Sequence, residues 1–89
     1  MTEEQKELFR KAVLRVLDAN RTRYGLGLSA VGHLLAQFGF AGAQMDEMAE
    51  AVEYLSKKGL VEECLKVVSG ANRAWRISQK GMAFVDEQL

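Results

Sequence analysis

The sequence has no proline, one cysteine and one histidine, and its twelve basic side chains equal its twelve acidic ones in number. A single cysteine excludes an intrachain disulfide. A zinc site needs three or four protein ligands, so we expect no metal site from His33 and Cys64, and we expect no cofactor. A net charge of zero excludes a general attraction to nucleic acid or membrane and leaves only local clusters of charge to bind either one.

Long apolar segments are also missing. The one long uncharged stretch, residues 25–43, contains five glycines and several polar residues, so it predicts no membrane span. The N-terminus, MTEEQKE, is acidic and polar, unlike a signal peptide. No glycine-rich phosphate loop, paired-carboxylate site or Ser/His/Asp arrangement can be assembled. We therefore expect a soluble cytoplasmic protein that is not an enzyme and that folds as one domain, residues 1–89.

The most strongly patterned segment is residues 45–58. At 100° per residue, one face of a helix receives the apolar side chains of Met45, Met48, Ala49, Val52 and Leu55. Gly59 occupies the position of a left-handed residue after the helix, and the two lysines before it suit the negative end of the helix dipole. Leu60 and Val61 then begin an extended segment.

Similar patterns predict the other helices. A first helix covers residues 3–19, with acidic residues in its first turn. A second, over residues 30–38, has Ser29 as its expected N-cap, and a last one, over residues 79–88, has Ser78. The second and third helices are joined by a short turn and form a helix-turn-helix candidate.

A hairpin is predicted between the third and last helices. Residues 60–68 and 73–77 alternate between apolar and polar side chains, and the turn between them is residues 69–72. We expect Trp75 to close the core rather than to stack on a base. The predicted fold class is mainly α with a small β-hairpin. The expected core comprises Phe9, Val13, Val16, Leu34, Leu35, Phe38, Val52, Leu55, Leu60, Trp75, Ile77 and Phe84.

The order helix, helix, helix, hairpin, helix resembles the winged helix-turn-helix superfamily, with a two-stranded wing and a C-terminal helix. The segment Leu55-Ser-Lys-Lys-Gly-Leu-Val61 looks like the L-x-x-x-G-L-V segment of MarR-like and ArsR-like bacterial regulators. The segment Trp75-Arg-Ile-Ser-Gln-Lys-Gly81 looks like their wing-to-helix segment, aromatic-x-[IL]-T-x-x-G. The chain is also similar to small winged-helix proteins of Mu-like prophages.

The resemblance implies DNA binding in transcriptional regulation, with the third helix in the major groove and the wing on the backbone or minor groove. By position, the groove-facing residues would be Gln44, Glu47, Ala51 and Tyr54, with Arg73 on the wing. Residues 44–58, however, contain four acidic and two basic side chains, a net charge of −2. Since lysine and arginine bind DNA by neutralising phosphates, we expect the phosphate contacts to lie outside this helix.

Two functions therefore stay open. The first is DNA binding by a basic loop and wing, helped by two residues of the third helix, and its expected contacts are Arg21, Arg23, Gln44, Tyr54, Lys66, Arg73 and Arg76. The second is a protein-interaction module or homodimer that docks through the uncharged side of the second helix or through acidic residues of the third, which are Asp46, Glu47, Glu50 and Glu53. A third possibility is that the basic residues, the acidic residues or both are ordinary solvent-exposed charges without a binding function.

Overall fold

The computed structural model describes residues 2–64 and 73–89. Four α-helices occur in these residues: α1 (Glu3–Ala19), α2 (Leu28–Leu35), α3 (Met45–Lys57) and α4 (Gln79–Gln88). Three short strands form one antiparallel sheet: β1 (Leu26–Gly27), β2 (Val61–Cys64) and β3 (Ala74–Ile77). The predicted fold class, mainly α with a small β component, is confirmed. No helix in these residues combines the length and the hydropathy that a membrane span requires.

Helix α1 has the predicted bounds, and both of its ends are capped. At its start, the Gln5 N–H donates to Thr2 Oγ1 at 3.1 Å and the Thr2 N–H donates to Gln5 Oε1 at 3.0 Å. At its end, the Asn20 side-chain amide donates to the Val16 carbonyl oxygen at 2.9 Å. Leu14 is fully buried beside the predicted core residues Val13 and Val16, so α1 contributes a broad face to the core.

The second helix differs from its prediction at both ends. Helix α2 begins at Leu28 with Gly27 as its N-cap, so the expected capping by Ser29 is wrong. After eight residues it continues as a single 3-10 turn, Ala36–Phe38, which Gly39 closes with φ +89°. The helix starts early because β1 leads directly into it.

Strand β1 makes the sheet three-stranded, whereas the sequence predicts only a two-stranded hairpin. The strand order is β1-β3-β2, with Leu26 opposite Trp75 and Val61 opposite Ile77. Two residues are too few to show an alternating pattern, so β1 is recognisable only from its partner strand. The predicted turn, residues 69–72, lies outside the described residues.

The core is formed by apolar side chains of the helices and of one face of the sheet. Nine of the twelve predicted core residues are buried, and the other three, Leu34, Phe38 and Phe84, are partly buried and pack against them. Met45 is the error on α3: predicted on the buried face, it is 54% exposed. It occupies the first position of the helix, beyond the turns that pack on the core.

The structure explains why glycine occurs at two positions, Gly59 and Gly81, in the segments that resemble winged-helix regulators. Gly59 follows α3 with φ +77°, the left-handed conformation that the sequence predicts. A Cβ at Gly81 would overlap the Leu60 carbonyl oxygen, so glycine lets the first turn of α4 lie against the chain just after α3. Ser78 Oγ ties this junction together: it donates to the Gly59 carbonyl oxygen at 2.6 Å and accepts the Gly81 N–H at 3.0 Å.

Candidate nucleic-acid interface

The first turn of α3 uses two of the carboxylates that the sequence assigns to a partner surface. The Gln44 N–H donates to Glu47 Oε1 at 3.0 Å, and the Glu47 N–H donates to Asp46 Oδ1 at 2.9 Å. Both carboxylates lie at the positive end of the helix dipole, where they stabilise the helix. Gln44 and Asp46 are exposed, whereas Glu47 is half-buried and already has a structural role.

Tyr54 and Glu50, further along α3, are joined to α1 through Arg10. The Arg10 guanidinium lies 3.8 Å from the centroid of the Tyr54 ring, and Arg10 Nη2 lies 3.5 Å from Glu50 Oε1. The Arg10 side chain is only 19% exposed, so it bridges the two helices instead of extending into solvent. One face of the Tyr54 ring is thereby covered. Ala51, also predicted to face a DNA groove, is 2% exposed, and that prediction is wrong.

Arg73, predicted to contact DNA from the wing, lies between two carboxylates. Its Nε and Nη2 lie 2.6 Å and 3.0 Å from the two carboxylate oxygens of Glu63, and Nη2 lies 3.4 Å from Glu53 Oε1. Its guanidinium also lies over Trp75, 4.9 Å from the ring centroid. The hydrogen bond between Arg73 and Glu63 lowers the pKa of Glu63 and raises the pKa of Arg73. We call Arg73 with Glu53 and Glu63 the Arg73 clamp.

Arg76 belongs to β3, whereas Arg73 directly precedes that strand. The two residues are three positions apart and side chains alternate along an extended chain, so Arg76 lies on the opposite face of the sheet from Arg73. Its Nη2 lies 3.2 Å from Glu62 Oε2, the residue opposite it on β2, and its Nη1 donates to the Arg23 carbonyl oxygen at 3.2 Å. This last bond holds the loop between α1 and β1 against the sheet. The result is a basic groove, whose charged residues are Arg21, Arg23, Glu62, Arg76 and Lys80.

The loop that completes the basic groove is shaped by Thr22 and Gly25. Thr22 Oγ1 accepts the N–H groups of Tyr24 and Gly25 at 3.0 Å and 3.1 Å. Gly25 has φ +77°, and a Cβ there would lie 2.8 Å from Cys64 Sγ and 2.9 Å from the Trp75 carbonyl oxygen. Glycine therefore allows the loop to approach the sheet this closely.

The two faces of β3 differ in their balance of charge. In the Arg73 clamp, two carboxylates surround one arginine. In the basic groove, Arg21 pairs with Asp18 at 2.7 Å, but Arg23 and Lys80 have no carboxylate within 4.0 Å among the described residues. The groove thus has an excess of positive charge that the clamp lacks.

Three other residues named from the sequence add no second site. Trp75 is 3% exposed in the core, as predicted, so its ring is not free to stack on a base. His33 is exposed, and residues 2–64 and 73–89 contain no group of three or more side chains that could hold a metal ion. Lys66, the remaining predicted DNA contact, lies outside the described residues.

Comparisons of the chain with protein families, with curated proteins and with solved structures find no match. The basic groove and the Arg73 clamp are thus the features of this chain from which a function can be inferred.

Proposed function

We propose that the protein is a winged helix-turn-helix domain that binds duplex DNA in transcriptional regulation and that it is not an enzyme. The observation that supports DNA binding is the basic groove. Arg21 and Arg23 from a loop, and Arg76 from the hairpin, were predicted from separate segments and line one surface with Lys80. The winged-helix assignment is supported by the strand before α2 and by the hairpin that follows α3 and pairs with it.

In this proposal the groove binds phosphates and does not read bases. Each phosphate that a lysine or arginine neutralises releases counterions and contributes about −0.9 to the slope of log K against log salt. Base reading by α3 is limited, since Ala51 is buried and one face of the Tyr54 ring is covered by Arg10. Gln44 is exposed at the N-terminal end of α3, the end that a recognition helix brings closest to the bases. We therefore expect largely sequence-independent binding.

Duplex affinity across a salt series tests the groove. Arg23→Gln and Lys80→Gln each remove a cation that has no carboxylate within 4.0 Å among the described residues, and each should reduce the salt slope by about 1. Arg15→Gln is the matched control, because Arg15 is exposed on α1 and does not line the groove. Equal effects of all three changes, or no binding by the unmodified protein at low salt, would refute this function.

A second candidate function is a protein-interaction module that does not bind DNA. The observation that favours it is the acidic start of α3. Glu50 and Glu53 pair with arginines, whereas Asp46 and Glu47 have no basic side chain within 4.0 Å among the described residues. A basic partner protein would meet these two carboxylates, which have no ion-pair partner in the described residues, before the paired ones.

The double change Glu47→Gln and Glu50→Gln separates the two functions. If α3 enters a DNA groove, the change deletes two repulsions and DNA binding becomes tighter. If α3 meets a basic protein, the change weakens that complex and mainly slows its association, because charges at the rim of an interface steer encounter. A surface with neither function leaves both binding measurements unchanged.

A further inference from the structure

We propose that Glu63 and Glu53 occupy the phosphate-binding groups of Arg73, so that Arg73 contributes to polyanion binding only when an anion displaces these carboxylates. This inference rests on the proposed DNA-binding function and concerns its regulation at the hairpin. It assigns a role to Glu63, which the sequence patterns do not single out.

The geometry of the Arg73 clamp is the geometry by which arginine recognises phosphate. Two parallel hydrogen bonds, from Nε and Nη2 at 2.6 Å and 3.0 Å, join the guanidinium to both oxygens of Glu63. Bidentate pairing of this kind is what makes arginine selective for carboxylate and phosphate groups. A phosphate that approaches Arg73 therefore competes for donors that are already used.

Two further contacts hold the Arg73 guanidinium in place. Glu53, from α3, lies 3.4 Å from Nη2, and the Trp75 ring lies beneath the guanidinium, 4.9 Å from its central carbon. Because Trp75 is buried in the core, it gives the guanidinium a fixed support. The clamp also joins α3 to the hairpin, so an anion that captures Arg73 breaks a polar link between the two elements that would face DNA.

The clamp is reversible because all three of its charged side chains are exposed. Salt and water weaken exposed ion pairs, and a single exposed pair contributes little to stability. A DNA backbone presents many phosphates at once, which gives it an advantage over two carboxylates as binding tightens. The surroundings of Arg76 differ from those of Arg73. Arg76 contacts one carboxylate and one carbonyl oxygen, and it lies in a groove with additional cations.

The test compares Glu63→Gln, Arg73→Gln and the double variant with the unmodified protein. Glu87→Gln is the matched control, since it removes one exposed carboxylate from α4 outside the clamp. The measurements are the salt concentration for elution from a heparin column and the salt slope for a mixed-sequence duplex. We expect Glu63→Gln to elute later than Glu87→Gln and to raise the duplex slope by about 1. Both gains should vanish in the double variant, which lacks Arg73.

Two results would overturn the clamp. One is an elution shift for Glu63→Gln no larger than that for Glu87→Gln, and the other is a shift that persists without Arg73. Glutamine keeps a hydrogen-bond acceptor at this position, and circular dichroism verifies folding. If Glu63→Gln is unstable, Glu53→Gln should give a smaller shift in the same direction, and its failure to do so would count equally against the clamp.

Heparin separates this inference from the proposed function. Heparin is a polyanion without bases, so it tests the release of Arg73 whether or not DNA is the natural ligand. An Arg73-dependent shift on heparin, together with no duplex binding by any variant, would remove the DNA function and keep the clamp. Duplex binding that depends on Arg23 and Lys80, with no elution shift for Glu63→Gln, would support the DNA function and refute the role of the clamp.

Discussion

The two faces of β3 give the same type of side chain opposite surroundings. Arg76 stands across from Glu62 and next to the loop of Arg23, whereas Arg73 faces Glu63 diagonally and Glu53 from α3. The strand register and the position of α3 create this difference, not the arginines themselves. Whether a basic side chain is free to bind phosphate therefore depends on which neighbouring elements bring carboxylates to it.

The largest expected effect comes from displacing the loop that completes the basic groove. Gly25→Ala combines a left-handed φ with a Cβ that would lie 2.8 Å from Cys64 Sγ, so it should displace the loop and destabilise the fold by about 2 kcal/mol or more. Gly39→Ala is the control, because Gly39 has φ +89° but nothing within 4 Å of an added Cβ. It should cost only about 1 kcal/mol.

Urea unfolding measures both glycine variants, and duplex binding reports the groove. Equal destabilisation by Gly25→Ala and Gly39→Ala would mean that the close approach of the loop to the sheet contributes nothing beyond its backbone conformation.

A middle-sized effect comes from neutralising Arg73 and Arg76 in turn. Arg76→Gln should reduce the duplex salt slope by about 1, because Arg76 lies in the groove with the excess positive charge. Arg73→Gln should reduce it by much less, because Glu63 and Glu53 already neutralise Arg73. The two variants have the same net charge, so each is the control for the other. A larger loss for Arg73→Gln would reverse the assignment of the two faces.

The smallest expected effect is on acid stability. The hydrogen bond from Arg73 lowers the pKa of Glu63 in the folded protein. A carboxyl with a lowered pKa contributes stability that is present above its unfolded pKa, about 4.3, and that is lost as pH falls through the folded pKa. The melting temperature should thus fall less steeply below that pH in Glu63→Gln than in Glu87→Gln. If the melting temperatures of the two variants fall equally at acidic pH, the ion pair between Arg73 and Glu63 does not form in solution.

The first, third and last helices were predictable because each shows several turns of a regular apolar period and clear end signals, whereas the short second helix was misplaced at both ends. The predicted first and last helices have the observed bounds, and Gly59 has the predicted left-handed conformation. The errors lie where the pattern is short or ends: Met45 is at the first position of α3, and β1 has two residues. Such residues take their structure from elements distant in the sequence, which a local period does not encode.

The charged site was predictable by residue type but not by partner. Sequence reasoning named Arg21, Arg23, Arg73 and Arg76, yet their availability follows from the register of β2 against β3 and from the folded loop. Arg10 was missed altogether. Its only sequence signal is its position next to the core residue Phe9, and its contact with Tyr54 arises from the packing of α1 against α3.

The sheet order β1-β3-β2 also bears on how copies of the chain meet. Exposed strand edges invite pairing with another molecule, which leads to aggregation or domain swapping, and short or charged edge strands oppose it. Here one outer strand has two residues and runs straight into a helix, while the other has Glu62 and Glu63 exposed at its centre. Intermolecular strand addition at the described strands is therefore disfavoured. A homodimer formed through the described residues is therefore expected to use helical surfaces instead of strand edges.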